Sequence, residues 1–182
     1  MEIKPLEIVG AFKIKPNKFE DNRGIFGRTF CFKEFEAFDL NTEWVQMNTS
    51  ISNIKGTVRG IHYQKPPHSE IKLIRCVRGM VIDILVDLRI ESTSFGSVCE
   101  VILDSKDMDM VYIPEGCGHG FQTLTHNVEL NYCHSKFYEP NYESGINVQD
   151  PDLGINWPLP ILNLSARDQN HPSFKKTEPL VL

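Results

Sequence analysis

The chain has 182 residues, and its 19 Lys and Arg against 24 Asp and Glu leave a formal charge of −5 with the six histidines neutral. That balance excludes a general nucleic-acid binder, whose surface has to neutralise phosphates. With 41% hydrophobic and 24% charged residues the composition excludes long disorder, and a chain of this length buries about 70% of its unfolded surface, enough for one domain spanning residues 1–182.

The N-terminal stretch Met1 to Phe12 mixes Glu2, Lys4 and Glu7 with its apolar residues and has no signal-peptide core, and Leu6 to Ile14 reads as strand-like. One short helix is expected over Lys33 to Leu40, with Phe32, Phe35 and Leu40 on one face. Strand signals then dominate, as runs rich in Ile, Val, Phe and Tyr broken by Gly and Pro: Ile71 to Arg78, Met80 to Arg89, Ser97 to Leu103, Asp109 to Ile113, Gly120 to Leu124 and Val128 to Cys133. In the clearest of these, Met80, Ile82, Ile84, Val86 and Leu88 form an apolar face, and Asp83, Asp87 and Arg89 mark the other as polar. From Asn141 the chain is rich in Pro, Asn and Asp, an ordered but irregular tail with a short helix near its end.

Many short strands with few helices give an all-β class, a sandwich or barrel, with the double-sheet jelly roll leading. The longest apolar run, Met80 to Leu88, is interrupted by two aspartates and falls far short of the 18 or so residues of a membrane span. A cytoplasmic protein without a membrane partner is expected. Cys31, Cys76, Cys99, Cys117 and Cys133 are odd in number and lack a C-x-x-C pair, so they read as reduced thiols that mostly fill the core.

Three histidines invite attention. His62 sits in Val58-Arg59-Gly60-Ile61-His62-Tyr63-Gln64, His119 lies between glycines that allow a close approach of backbone or a sharp turn, and His134 follows Tyr132 by two residues. Spacing alone reads His62 and His119 equally well as hydrogen-bonded structural histidines. His68, His126 and His171 lie in polar, turn-like stretches and are assigned to the solvated surface. Pro114-x-Gly116-x-x-His119 is similar to the second metal motif of the cupins, a jelly-roll superfamily. The first motif, His-x-His followed by Glu, is not matched by His62-Tyr63-Gln64, and with a ligand set missing no metal is expected.

Several segments in order, among them Phe19 to Gly24, Gln46 to Ser50, Arg59 to Gln64, Lys72 to Arg75, Ile113 to Phe121, Tyr132 to Pro140, Ile155 to Pro158 and Leu164 to Asp168, closely resemble the dTDP-4-dehydrorhamnose 3,5-epimerases and related nucleotide-sugar epimerases, which are metal-free cupins. The resemblance covers Phe19 to about Pro172. It implies a cupin-type jelly roll, a nucleotide-linked 4-keto-6-deoxyhexose as substrate, no cofactor, and a homodimer whose N-terminal segment is exchanged between subunits, a role Leu6 to Ile14 could fill. It implies His62 as base, Asp168 as the carboxylate on its ring, Tyr132 as acid, and Lys72 beside the sugar ketone. An imidazole titrates near working pH, and a neutral phenol can return a proton to an enolate carbon. Arg59 and His119 would add positive charge or hydrogen bonds at the sugar or diphosphate. Arg23, Gln46, Asn48, Tyr138 and Glu143 would bind the nucleotide.

Two departures stand out. Arg28 occupies a substrate-contacting position where the rhamnose-pathway members carry Glu, and Arg167 stands in place of a Lys before Asp168. Arg23, Arg28, Arg59, Lys72 and Arg167 are expected to converge on one cavity, a cationic pocket inside an acidic shell. The Arg28 departure keeps open a single-centre 3- or 5-epimerase acting on a dTDP-, GDP- or CDP-linked 4-keto sugar. Other readings are a non-catalytic nucleotide-sugar binder and a metal-dependent cupin.

Overall fold

A computed structural model describes residues 1–182. Thirteen strands dominate: β1 (Glu2–Pro5), β2 (Phe12–Lys15), β3 (Lys18–Asp21), β4 (Gly24–Gly27), β5 (Gln46–Ser52), β6 (Val58–Gln64), β7 (Lys72–Arg78), β8 (Met80–Asp87), β9 (Val98–Asp104), β10 (Met110–Ile113), β11 (Cys117–Thr123), β12 (Val128–His134) and β13 (Glu143–Gly145). The α-helices are α1 (Phe32–Glu36) and α2 (Ala166–Gln169), and a 3-10 turn covers Phe174–Lys176. One sheet runs β1-β2-β10-β7-β12-β5, the other β13-β6-β11-β8-β9, with every pairing antiparallel. This is the expected all-β jelly roll.

Alternation along the strands fixes what lies between the sheets. Ile74 and Cys76 of β7, Val128 and Leu130 of β12, Val81 and Leu85 of β8, and Phe121 of β11 form one buried cluster contributed by both sheets. The outer face of the five-stranded sheet is also covered. Ile82, Ile84, Val86 and Leu88 pack against Ile146, Val148, Leu153 and Leu180 of the C-terminal tail.

Strand β8 is therefore buried on both sides, and the face expected to be polar lies inside the protein: Asp83 and Asp87 are fully buried among apolar neighbours. Each has a dedicated partner, as burial of a charge demands. Asp87 accepts from Arg89 Nη2 at 2.7 Å and from the hydroxyls of Ser92 and Ser94 at 2.6 and 2.7 Å, while Asp83 faces His119.

Boundaries shift where local signals were weak. The helix is shorter than expected, Phe32–Glu36, and of its three apolar residues Phe35 and Leu40 are buried while Phe32 is exposed. Leu6 to Ile14 is not one strand, because the chain turns between β1 and β2, which pair with each other. The tail contributes β13 to the edge of β6, an element absent from the sequence reading. Cys76, Cys99 and Cys117 are core thiols, Cys31 and Cys133 are half-buried, and none is bonded to another.

Candidate active site

Toward one end of the space between the sheets, apolar residues give way to polar ones on the same strand faces. On β12 Val128 and Leu130 are followed by Tyr132 and His134, and on β7 Cys76 and Ile74 lead to Lys72. Across from them, β6 and β11 present His62 and His119 opposite each other in register. A cavity of about 620 Å³ results, lined by Asn48, Arg59, His62, Lys72, His119 and Tyr132 and bordered by Tyr138, Glu143, Arg167 and Asp168. Its size suits a small-molecule ligand.

A register irregularity shapes one wall. Between His119 and Phe121 the β6–β11 pairing jumps from His62 to Arg59, so three residues of β6 span two of β11. This bulge brings Arg59 and His62 to one face although their odd spacing would separate them on a regular strand. Gly60 makes it possible. Its φ is +122°, and a Cβ there would meet the Gly120 Cα at 2.5 Å. The glycines flanking His119 serve packing, since a Cβ on either would lie 2.6 Å from the Ile61 side chain.

His62 Nε2 lies 2.7 Å from Asp168 Oδ1. Asp168 is held at the start of α2, where its N–H donates to the Ser165 hydroxyl at 3.0 Å and its second oxygen accepts from Gly60 N at 3.4 Å. Burial would push the Asp168 carboxyl up, but the hydrogen bond and charge of His62 outweigh it and hold the carboxyl below its usual range. With Nε2 donating to this carboxylate, Nδ1 is the nitrogen left to take a proton.

A second dyad lies deeper, His119 Nε2 to Asp83 Oδ1 at 2.7 Å. Burial pushes the Asp83 carboxyl up, opposed by the charges of His119 and Lys72. Burial also raises the Tyr132 phenol, with Asp83 adding to the effect, so the ring is firmly protonated at neutral pH.

Lys72 does not lie at a solvated strand edge. Its ammonium sits 3.2 Å from Glu70 Oε1 and 3.5 Å from the His62 carbonyl of the opposite sheet. Glu70 also accepts from His134 Nδ1 at 2.8 Å, and His134 Nε2 faces the Asn48 amide at 3.3 Å. Burial works against the Glu70 charge, but Lys72 and His134 prevail and its carboxyl is lowered. His134 in turn stacks on Tyr132, with ring centroids 6.1 Å apart and planes 16° from parallel.

The rim is polar and aromatic. Arg167 Nη2 reaches Glu143 Oε1 at 2.6 Å, the Tyr138 hydroxyl donates to the other Glu143 oxygen, and Gln46 Oε1 accepts from the Tyr138 N–H at 3.1 Å. Arg59 is tied to Ser52 Oγ at 3.2 Å.

Two expected residues lie elsewhere. Arg23 is at the tip of the β3–β4 hairpin, 86% exposed and paired with Asp21 at 2.6 Å, and Arg28 pairs with Glu34 at 3.2 Å. Neither lines the cavity of its own chain, so three of the five expected cations converge there. The surface assignment of His171 is also corrected. Its side chain is 12% exposed, its ring meets that of His62 edge-on at 5.6 Å, and its Nε2 is 3.7 Å from Asp168 Oδ1. His68 is half-buried against Tyr142, while His126 is exposed as expected. Glu70, Asp83 and His171 escaped sequence reading. The one available signal was the Glu70-x-Lys72 spacing, which puts both on one face of an extended segment.

A jelly roll holds paired histidine–carboxylate dyads, a lysine and a protonated tyrosine around one cavity, and the chain's relatives place it in the isomerase class of enzymes. More particularly, the chain belongs to the dTDP-4-dehydrorhamnose 3,5-epimerase family, whose model matches residues 5–176. It is 39% identical over 171 residues to a dTDP-4-dehydrorhamnose 3-epimerase of Streptomyces niveus, covering 93% of this chain and 82% of that one. The dTDP-4-dehydrorhamnose 3,5-epimerase of Elizabethkingia anophelis superposes with a TM-score of 0.92 at 36% identity over 96% of this chain and 97% of the other. The dTDP-6-deoxy-D-glucose-3,5-epimerase of Legionella pneumophila, solved with dTDP-4-keto-L-rhamnose, gives 0.92 at 32% identity over 99% and 97%.

Proposed function

We propose that the chain epimerises a dTDP-linked 4-keto-6-deoxyhexose at C3 and C5, the carbons flanking its ketone. The observation that carries this reading is the placement of His62, with its carboxylate Asp168, on one sheet and Tyr132 on the sheet facing it. A sugar between the sheets meets a base on one face and an acid on the other, which is what inversion through an enolate requires.

His62 Nδ1 takes the proton, and Asp168 orients the ring and stabilises the imidazolium. Charge then develops on the C4 oxygen, where the Lys72 ammonium and the His119–Asp83 dyad supply fixed positive charge and hydrogen bonding inside a buried site. Tyr132 returns a proton to the opposite face of the carbon. Arg59 and Arg167 suit the diphosphate, Tyr138 offers its ring to the base, and Gln46, Asn48 and Glu143 hold the rim in place. The chain needs no cofactor for this chemistry, because the ketone itself acidifies the adjacent C–H bonds.

The working form is a homodimer. The β3–β4 hairpin pairs only with itself, exposes Phe19 at 68% and Phe26 at 72%, and carries Arg23 at its tip. A two-stranded ribbon with apolar faces is not stable alone in water, and a second copy is the occupant that would also bring Arg23 and Arg28 to a cavity. Light scattering on the purified protein tests this, and a strictly monomeric active enzyme refutes it.

The activity test is incubation with dTDP-4-keto-6-deoxyglucose in deuterated water. Deuterium at both C3 and C5 is expected, and none at either carbon refutes the reading. The Streptomyces niveus relative, named as a 3-epimerase, supports a second reading, single-centre inversion, which deuterium at C3 alone would select.

A further inference from the structure

We infer that His62, Asp168 and His171 form a binding site for a divalent d-block cation, with zinc the best fit, and that filling this site switches the enzyme off. One ring nitrogen of each histidine and an oxygen of Asp168 all lie within 4.8 Å of one another. In a tetrahedral zinc site the N and O ligands stand about 3.3 Å apart, as bonds of about 2.0–2.1 Å dictate. Here His62 Nε2 and Asp168 Oδ1 are 2.7 Å apart, and His171 Nε2 and the same oxygen 3.7 Å. Shifts of about half an ångström at the ends of side chains bring these two separations to that spacing, and the two ring nitrogens, within 4.8 Å of each other, close onto the same ion.

His171 is the informative member. Its Nε2 is buried without a hydrogen-bond partner, an arrangement that costs free energy and calls for an explanation. The 3.7 Å separation from Asp168 is too long for a hydrogen bond. The ring is fixed by Gly145, where a Cβ would lie 2.5 Å from Nε2. A neutral imidazole so placed offers a lone pair toward the carboxylate. Two imidazoles and one carboxylate are a common ligand set for zinc and ferrous iron, with further positions open on the cavity side. The neighbouring cation Arg167 is compensated by Glu143 at 2.6 Å.

Inhibition follows from the tautomer, and this step rests on His62 being the base. A metal on Nε2 replaces the proton that Nε2 shares with Asp168. The neutral ring then carries its hydrogen on Nδ1, the nitrogen that has to accept the substrate's proton. The site differs from the cupin metal position, since Asp168 and His171 come from the C-terminal tail and His119 takes no part.

Calorimetric titration of the metal-stripped protein with zinc sulfate tests binding independently of catalysis. One site per chain is expected. His171→Ala and the bulkier His171→Gln should both weaken it by at least about 10- to 100-fold, the loss typical of altering even an outer-shell partner. In the exchange assay, zinc should abolish deuterium uptake by the wild type reversibly, with EDTA restoring it. Each His171 variant, read against its own metal-free rate, should resist the same zinc concentration, a comparison that cancels chelation by the substrate's diphosphate. Equal zinc affinity in wild type and variants overturns the site. Binding that depends on His171 but leaves exchange intact overturns the inhibition and with it His62 as the base. A metal-free protein with no exchange on any substrate refutes the proposed function and leaves the calorimetric result standing.

Discussion

Replacing Asp168 by Asn separates the two things the carboxylate does. Asn has nearly the same shape, and its carbonyl oxygen can still accept from His62 Nε2 across the 2.7 Å now observed. The negative charge is lost. As His62 takes a proton from carbon, the developing imidazolium interacts with that charge over about 4 Å between charge centres, worth about 4 kcal/mol at an effective dielectric of about 20. If the full charge is present at the transition state, exchange slows about a thousandfold. The Asn amide can also rotate its NH2 toward Nε2 and favour the tautomer with hydrogen on Nδ1, which adds to the loss. The assay is the initial rate of deuterium incorporation at saturating substrate, with the dissociation constant for dTDP measured alongside. Nucleotide affinity should stay within about threefold, since Arg59, Tyr138 and Arg167 are untouched. Loss of less than about tenfold in exchange, with dTDP binding intact, would refute Asp168 as the electrostatic partner of the base.

Tyr132→Phe should keep detectable abstraction at carbon while product of inverted configuration falls sharply; unimpaired inversion in NMR spectra of the product would exclude the phenol as the acid. Lys72→Met leaves Glu70 with His134 alone and should cost about 3 kcal/mol, lowering the melting temperature by roughly 6–12 °C, because a buried carboxylate loses its lysine partner. The double variant Glu70→Gln/Lys72→Met should recover most of that stability without recovering activity. Asp87→Asn tests linkage. The cluster of Arg89, Ser92 and Ser94 overcomes burial and lowers the Asp87 carboxyl to about 2. A depressed pKa contributes stability that is fully present above the unfolded value near 4 and is lost as pH falls toward 2. The wild type should therefore exceed the variant by about 2 kcal/mol in urea unfolding at neutral pH, with the gap closing below about pH 4.

The fold was legible because alternation in β7, β8, β9 and β12 is strong and the turns between them are marked by Gly, Pro or charged residues. The reading failed where one strand face is polar for an internal reason. On β8, Asp83 and Asp87 look like solvent-facing residues, and only three-dimensional placement supplies the His119 and Arg89 partners that make their burial tolerable. His171 failed in the same way. Its neighbours Gln169, Asn170, Pro172 and Ser173 spell a loop, and nothing local records that Gly145, some 26 residues earlier, opens a slot for its ring.

Motifs name residues that meet a ligand but not the chain each comes from, and the cations divide along that line. Arg59, Lys72 and Arg167 sit on elements woven into the two sheets or their tail, so one chain suffices to bring them to the cavity. Arg23 lies at the tip and Arg28 at the base of a ribbon that makes no sheet pairing with its own body, and the residue pattern of such a ribbon is identical whether it folds back or reaches across. The split has a measurable consequence if the dimer supplies them. Arg23→Ala should weaken dTDP binding as a phosphate contact would, by about tenfold with a smaller salt dependence, and mixing it with a His62→Ala variant should regenerate sites holding both residues. Dimers formed by exchange between two such variants would then regain partial activity, whereas a cavity built entirely within one chain would gain nothing from mixing.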